Sequence, residues 1–420
     1  MPPKKAAEEA PSELLKKARF GRVKNNLKMG MVGLPNVGKS SLFNLMTQQS
    51  VAAENYPFCT IDPTEARCPV PDQRYKFLCD LYSPPSKVPA MLSVTDIAGL
   101  IKGAAEGAGL GNAFLSHIAA VDGIFHLLRA FDNDEVVHVD DSIDPVRDLE
   151  TINAELCAKD KELCEGALVA ALNDLRKSQG CARANEPKGA EPLRAVHAKV
   201  MAMLEESTPV GLGEWTSSEV DIIKTHFQLI TTKPIVYLVN LTKKDFCRKK
   251  NKYLPKIAEW VKTHGGGTVI PLSVEFEQEY FDLREVSAEA QADFLAQCKT
   301  EFCNGEGPDI SSILPRVIKT GYKELNMITF FTCGDTEVRA WTVYGGSLAP
   351  QTAGVIHTDF ERGFIKAETV AFRDFKQLCG GKPSMAGVKE AGKYRQEGKT
   401  YVVQDGDIFN FQFNVTAKKK

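Results

Sequence analysis

Apolar residues in this chain gather in short runs separated by longer mixed stretches. Met29-Gly30-Met31-Val32 predicts a strand that runs directly into a glycine-bearing loop, and Ser41 to Met46 then reads as helix. Further apolar runs predict strands at Ala90 to Val94, ending at Asp96, and at Gly123 to Leu128, ending near Arg129. Two more fall at Pro234 to Val239, ending at Asn240, and at Thr268 to Leu272, ending at Ser273. Short apolar strands alternating with helices predict an α/β fold with a mostly parallel sheet covered on both faces.

Residues 148–230 break that rhythm. Leu149, Ile152, Leu156 and Leu163 follow helical spacing, continued by Leu168, Leu172 and Leu175. After a polar break from Ser178 to Glu191, the pattern resumes with Leu193, Val196, Val200 and Leu204. The gap between consecutive strands is too long for a simple crossover. Two long antiparallel helices in a coiled-coil-like hairpin, inserted between strands of the sheet, are therefore expected ahead of the alternative, two ordinary packed helices of the core domain. Residues 325–415 read as a small mixed β domain. Its strands are Ile328 to Phe331, Val338 to Val343, Gly363 to Ala367 and Ile408 to Phe411, with turns at Gly345-Gly346 and Asp405-Gly406 and a helix around Val388 to Tyr394.

Composition narrows the class without naming it. The chain has 420 residues, 43% hydrophobic and 25% charged, with a formal net charge of −2. That excludes a polybasic nucleic-acid coat or an acidic tail while allowing a local basic patch. No apolar run approaches the ~20 residues a membrane helix needs. The opening MPPKKAAEEAPSELLKK carries no secretory signal. The 11 cysteines show no CxxC spacing, and are expected to be reduced and mostly buried. A cytoplasmic location follows, with nuclear entry left open, and a monomer is expected.

The chemistry sits after the first strand. Gly33-Leu34-Pro35-Asn36-Val37-Gly38-Lys39-Ser40 matches G-x-x-x-x-G-K-[ST] between a strand and a helix. Such glycines let backbone N–H groups turn toward phosphates, and the helix N-terminus adds a favourable dipole. Lys39 is expected to neutralise the β- and γ-phosphates, Ser40 to offer its hydroxyl to Mg²⁺, and Val37, Gly38 and Ser41 to complete the cradle. Asp96-Ile97-Ala98-Gly99 then supplies a carboxylate for a magnesium-bound water and a glycine N–H for the γ-phosphate. Thr60 is the candidate second magnesium ligand, with Thr64 close by as the alternative.

GLPNVGKSSLFN, NYPFCTIDP, DIAGLIKGAAEGAGLGNAFLSHI and RAF, with the later VRAWTV and AGVIHTDFERGFIKAE, resemble the Obg-like ATPase family, the YchF branch of the Obg-related P-loop proteins. The likeness runs from about Leu27 to Val415. It implies a G-type nucleotide domain, an inserted helical hairpin and a C-terminal TGS domain with a β-grasp fold. It also implies Mg²⁺-dependent ATP hydrolysis and association with ribosomes; a role in translation or stress regulation is expected, with the hairpin and TGS domain docking on RNA or protein of the large subunit. The expected organisation is a flexible segment over 1–26 and a nucleotide domain over 27–147 and 231–324. The hairpin is expected over 148–230, the TGS domain over 325–415 and a basic tail over 416–420. A module of a different class is the alternative: nucleotide-dependent ribosome or RNA binding, with incidental hydrolysis.

The chain departs from related nucleotide hydrolases at several positions. Leu100 stands where Ras-like proteins place a water-orienting Gln. His138 matches a histidine suspected of that role in the resembled family; otherwise it is a surface-loop histidine. Asn36 resembles the potassium-activated relatives, where it helps hold K⁺, and is equally read as a loop Asn in a turn. After the fourth strand, Asn240-Leu241-Thr242-Lys243 puts Lys243 where guanine readers carry Asp, and lysine has donors only. Guanine discrimination should then fail. Family members usually carry Glu at that position. A rival register, Thr242-Lys243-Lys244-Asp245, would restore a guanine-reading carboxylate. Ser273 and Val274 are expected to flank the base through backbone N–H groups.

Overall fold

The structure, a computed structural model, describes residues 20, 25–53, 64–97, 117–132, 143–180 and 185–414. Among the described residues, seven strands form in the first part of the chain: β1 (Lys28–Val32), β2 (Glu65–Pro69), β3 (Ser86–Val88), β4 (Met91–Asp96), β5 (Gly123–Arg129), β6 (Ile235–Asn240) and β7 (Thr268–Leu272). The first sheet has the order β2-β4-β1-β5-β6-β7. Every pairing is parallel except β2 with β4, which is antiparallel at the edge. All seven residues of β5 are buried, as a central strand covered on both faces requires. Helix α1 (Lys39–Ala53) packs on this sheet, and α2 (Gln73–Tyr82) follows β2, with Asp72 capping it by accepting from the Arg74 N–H at 2.8 Å.

The insertion begins with α3 (Pro145–Gln179), a helix of 35 residues. Asp144 caps its start, proline occupies its first position, and Gly180 ends it at φ +62°. Helix α4 (Ala190–Glu205) returns alongside. At the tip the Gln179 side chain donates to Lys188 O and accepts from Lys188 N, at 3.0 and 2.9 Å. At the base Asn153 Nδ2 donates to Ser207 O at 2.7 Å. The helices are unequal, and residues 206–230 fold into short helical turns against them. Ile152 and Leu156 root α3 in the nucleotide-domain core. Further along, Cys164, Ala171 and Leu172 pack with Leu193, Val196, Val200, Trp215 and Phe227 in a separate core. Buried Asp160 on α3 accepts the Ile230 and Thr231 N–H groups, both at 2.7 Å, and burial pushes its carboxyl up to about 6.

The remaining strands are β8 (Met327–Cys333), β9 (Glu337–Tyr344), β10 (Phe364–Ala371), β11 (Arg395–Glu397) and β12 (Asp407–Phe413). They form a second sheet of order β11-β10-β12-β8-β9-β3. Its last strand comes from the first part of the chain, with Ser86, Lys87 and Val88 pairing parallel to Glu337, Val338 and Arg339. The late helix spans Ala386–Glu390 rather than reaching Tyr394, which precedes β11. Arg74 ties the two parts together: its guanidinium donates to Asp72 and, at 2.9 and 3.1 Å, to Asp405 in the turn before β12. One core is shared by Leu78, Leu92 and Phe125 on one side and Phe331, Val338 and Ile408 on the other. Among the described residues no helix is long and apolar enough to cross a membrane.

His126 on β5 is buried beside Tyr237, and its Nε2 has no hydrogen-bond partner among the described residues. Desolvation pushes its imidazole down to about 4. The unfolded chain binds this proton near pH 6.5, so the stability His126 supplies is complete above that pH and is lost as pH falls toward 4. Raised Asp160 and Glu277 act in the opposite sense over that range, so the test is a difference. Between pH 7 and pH 4 the wild type should lose about 3 kcal/mol relative to His126→Leu, read from denaturant midpoints at each pH.

Candidate nucleotide-binding site

The loop Gly33–Gly38 leaves the C-terminal end of β1, and α1 starts at Lys39. Two of its glycines are required by space. A Cβ on Gly33 would come within 2.7 Å of Leu127 O. Gly38 has φ +96°, and a Cβ there would meet Asn240 Nδ2 at 2.6 Å. Asn36 adopts φ +62°, a left-handed conformation that asparagine tolerates. Lys39 Nζ donates to Asp96 Oδ1 at 3.1 Å and to Ile97 O at 2.6 Å. The phosphate-loop lysine and the carboxylate at the end of β4 therefore meet, as their motifs require. Ser40 and Ser41 lie exposed in the first turn of α1, whereas Val37 is buried.

Three further helices pack together after β6 and β7: α5 (Lys243–Arg248), α6 (Val274–Asp282) and α7 (Ala288–Cys303). Asn240, at the end of β6, is buried. Its Nδ2 donates to Val37 O at 2.9 Å and its Oδ1 accepts from Val274 N at 3.1 Å. Leu241 N donates to Leu272 O at 2.8 Å, and the Ser273 hydroxyl caps α6 by accepting from Phe276 N at 3.3 Å. The Val274 N–H expected to face a base is thus given to Asn240, and Ser273 is fully buried.

Lys243 opens α5, and its ammonium donates to both oxygens of Glu279 on α6, at 2.9 and 2.7 Å. Burial alone would lower the lysine, but the Glu279 hydrogen bond and charge outweigh it and hold the ammonium above its usual value. Asp245 is engaged elsewhere. Its N–H is capped by Thr242 Oγ1 at 3.1 Å, and its carboxylate accepts from Asn251 Nδ2 at 2.7 Å. The pairing of Lys243 with Glu279 was not legible in the sequence, because no spacing links the two residues. Thr60, Gly99, Leu100 and His138 lie outside the described residues. Thr64 is described, and its carbonyl accepts from Asp96 N at 2.9 Å.

A phosphate-loop lysine against a strand-end aspartate, with an asparagine clamping the loop from the base side, is the layout of a P-loop nucleotide hydrolase. A model described as 50S ribosome-binding GTPase matches residues 28–164, and the YchF-GTPase C-terminal model, described as a protein of unknown function, matches residues 327–414. Obg-like ATPase 1 of Oryza sativa subsp. japonica is 51% identical over 424 residues, covering 100% of both chains. The Homo sapiens protein of that name is 47% identical over 423 residues with the same coverage. This chain belongs to the Obg-like ATPase family, the YchF branch. The solved structure of the Schizosaccharomyces pombe YchF GTPase superposes with a TM-score of 0.80 at 44% identity, covering 94% of this chain and 99% of that one. The G domain and the YchF C-terminal domain described above are those of this family.

Asn240 links the phosphate loop to the turn before α6, and removing its amide strands a buried carbonyl and a buried N–H. Asn240→Ala should weaken ATP and GTP alike, by about 1–3 kcal/mol. Isothermal titration with each nucleotide checks this: a loss confined to one base would mean that Asn240 reads the base rather than holding the loop.

Proposed function

We propose that the protein hydrolyses ATP in a Mg²⁺-dependent reaction and acts as a regulator on the large ribosomal subunit, with the hairpin and C-terminal domain as docking elements. The observation that carries the base choice is the position of Asn240. Its contacts with Val37 and Val274 support the register that begins at this residue. The fourth position is then Lys243, a donor paired with Glu279, while Asp245 is bound to Asn251. The carboxylate that would accept from the guanine N1–H and 2-amino groups is missing from that position. The names of the 51%- and 47%-identical relatives point the same way.

The residues fit magnesium. Asp96 at the end of β4 and the exposed hydroxyl of Ser40 are hard oxygen donors, and Mg²⁺ takes one or two such groups plus substrate phosphates. Thr60 is the further ligand proposed. Bound there, the ion would neutralise charge on the β- and γ-phosphates. Lys39 supplies a second positive charge and exchanges Asp96 and Ile97 O for phosphate oxygens. With Leu100 at the water-orienting position, His138 is the residue proposed to position the attacking water.

Lys39→Ala should abolish most turnover, measured as phosphate release with and without ribosomes. Turnover at the wild-type rate would refute the phosphate-loop assignment. Stimulation by ribosomes of tenfold or more supports a regulatory switch; an unchanged slow rate supports a binding module whose hydrolysis is incidental. For the base, Lys243→Asp should shift preference toward GTP, and Asp245→Ala should leave the ATP to GTP ratio unchanged. A wild-type GTP preference destroyed by Asp245→Ala would make the protein a GTPase reading guanine through Asp245.

A further inference from the structure

Lys243 and Glu279 stand on the helices that follow the two base-side loops, α5 after Asn240 and α6 after Ser273. Both carboxylate oxygens contact the one ammonium. The lysine side chain is 21% exposed and the glutamate 41%, so each keeps a face open to a ligand. An ammonium has three N–H donors and a carboxylate about four lone-pair sites, so the contact exhausts neither. The pair therefore keeps a cationic donor and an anionic acceptor side by side, where a guanine reader has one carboxylate alone.

We propose that Glu279 is a specificity-determining residue that, held by Lys243, accepts from the 6-amino group of adenine while Lys243 donates to adenine N1. The proposal rests on the adenine reading of the site given above. Adenine presents an acceptor at N1 beside a donor at the 6-amino group. Guanine presents a donor at N1 and an acceptor at O6, the reverse polarity at the same two places. In the same pose the ammonium would face an N–H and the carboxylate a carbonyl oxygen. The pair thus repels guanine as well as attracting adenine, and discrimination built from both effects exceeds what the loss of an aspartate alone would give. Fixing each other, the two side chains also lose less freedom when the base arrives.

The test uses the full chain with ATP, GTP and purine riboside triphosphate, which lacks the 6-amino group. Glu279→Ala should lower the affinity for ATP by about tenfold more than that for purine riboside triphosphate, the scale of one lost charge-assisted hydrogen bond. Equal losses for the two ligands would overturn the proposal, because the effect would then not pass through the 6-amino group. The charge-reversed double variant Lys243→Glu with Glu279→Lys keeps the ion pair and its support of the helices. It should move the ATP to GTP ratio toward GTP by tenfold or more, and a ratio unchanged from wild type would also overturn the proposal. A wild-type chain that binds GTP more tightly than ATP withdraws the adenine reading itself, and the Glu279 assignment with it.

Discussion

Asn240 closes β6 within reach of two other loops, and its carboxamide spends its donor on Val37 and its acceptor on Val274. Such a group must be satisfied where it is buried, so all three segments are held at one spacing. The loop cannot move away without stranding the amide, nor closer, because Gly38 already leaves only the room of a missing Cβ. Lys39 and Asp96 then fall within hydrogen-bonding distance on the phosphate side, and Lys243 begins a helix on the base side. Parallel strands make this possible, since the ends of β1, β4, β6 and β7 all open on one edge of the sheet.

Outside that edge one large apolar core is shared between domains, whereas the hairpin has a core of its own. Nucleotide-domain and C-terminal residues merge into one cluster, and β3 lends the second sheet an edge strand. Arg74, bonded to both Asp72 and Asp405, adds a polar tie between the two domains. The hairpin is different. Beyond the root of α3 it packs against itself, and its attachment to the entrance of β6 runs through the buried carboxylate of Asp160. A helical arm with its own core can keep its shape without the support of the sheet.

Much of this was legible from the order of residues. The strands at Met29, Ala90, Gly123, Pro234 and Thr268 announce themselves because buried parallel strands need unbroken apolar runs. The phosphate loop is equally plain, since backbone donors can turn toward phosphate only with glycine at fixed positions. The edge strand β2, Glu65–Pro69, and the three-residue β3 left no such trace. Each is short, half-exposed and of mixed composition, and pairs only because a partner strand is already there.

The identity of the chemistry was set by local sequence: glycines, Lys39, Ser40 and Asp96 sit in motifs whose spacing the chain itself carries. Which groups stand free to use was decided by tertiary structure. Val274 N–H is consumed by Asn240, Asp245 is taken by Asn251, and Lys243 is bound to Glu279, a residue far along the chain. Hydrogen-bonding groups are claimed, wholly or in part, by whichever partner packing brings near, and that pairing between distant segments is what the linear order does not contain.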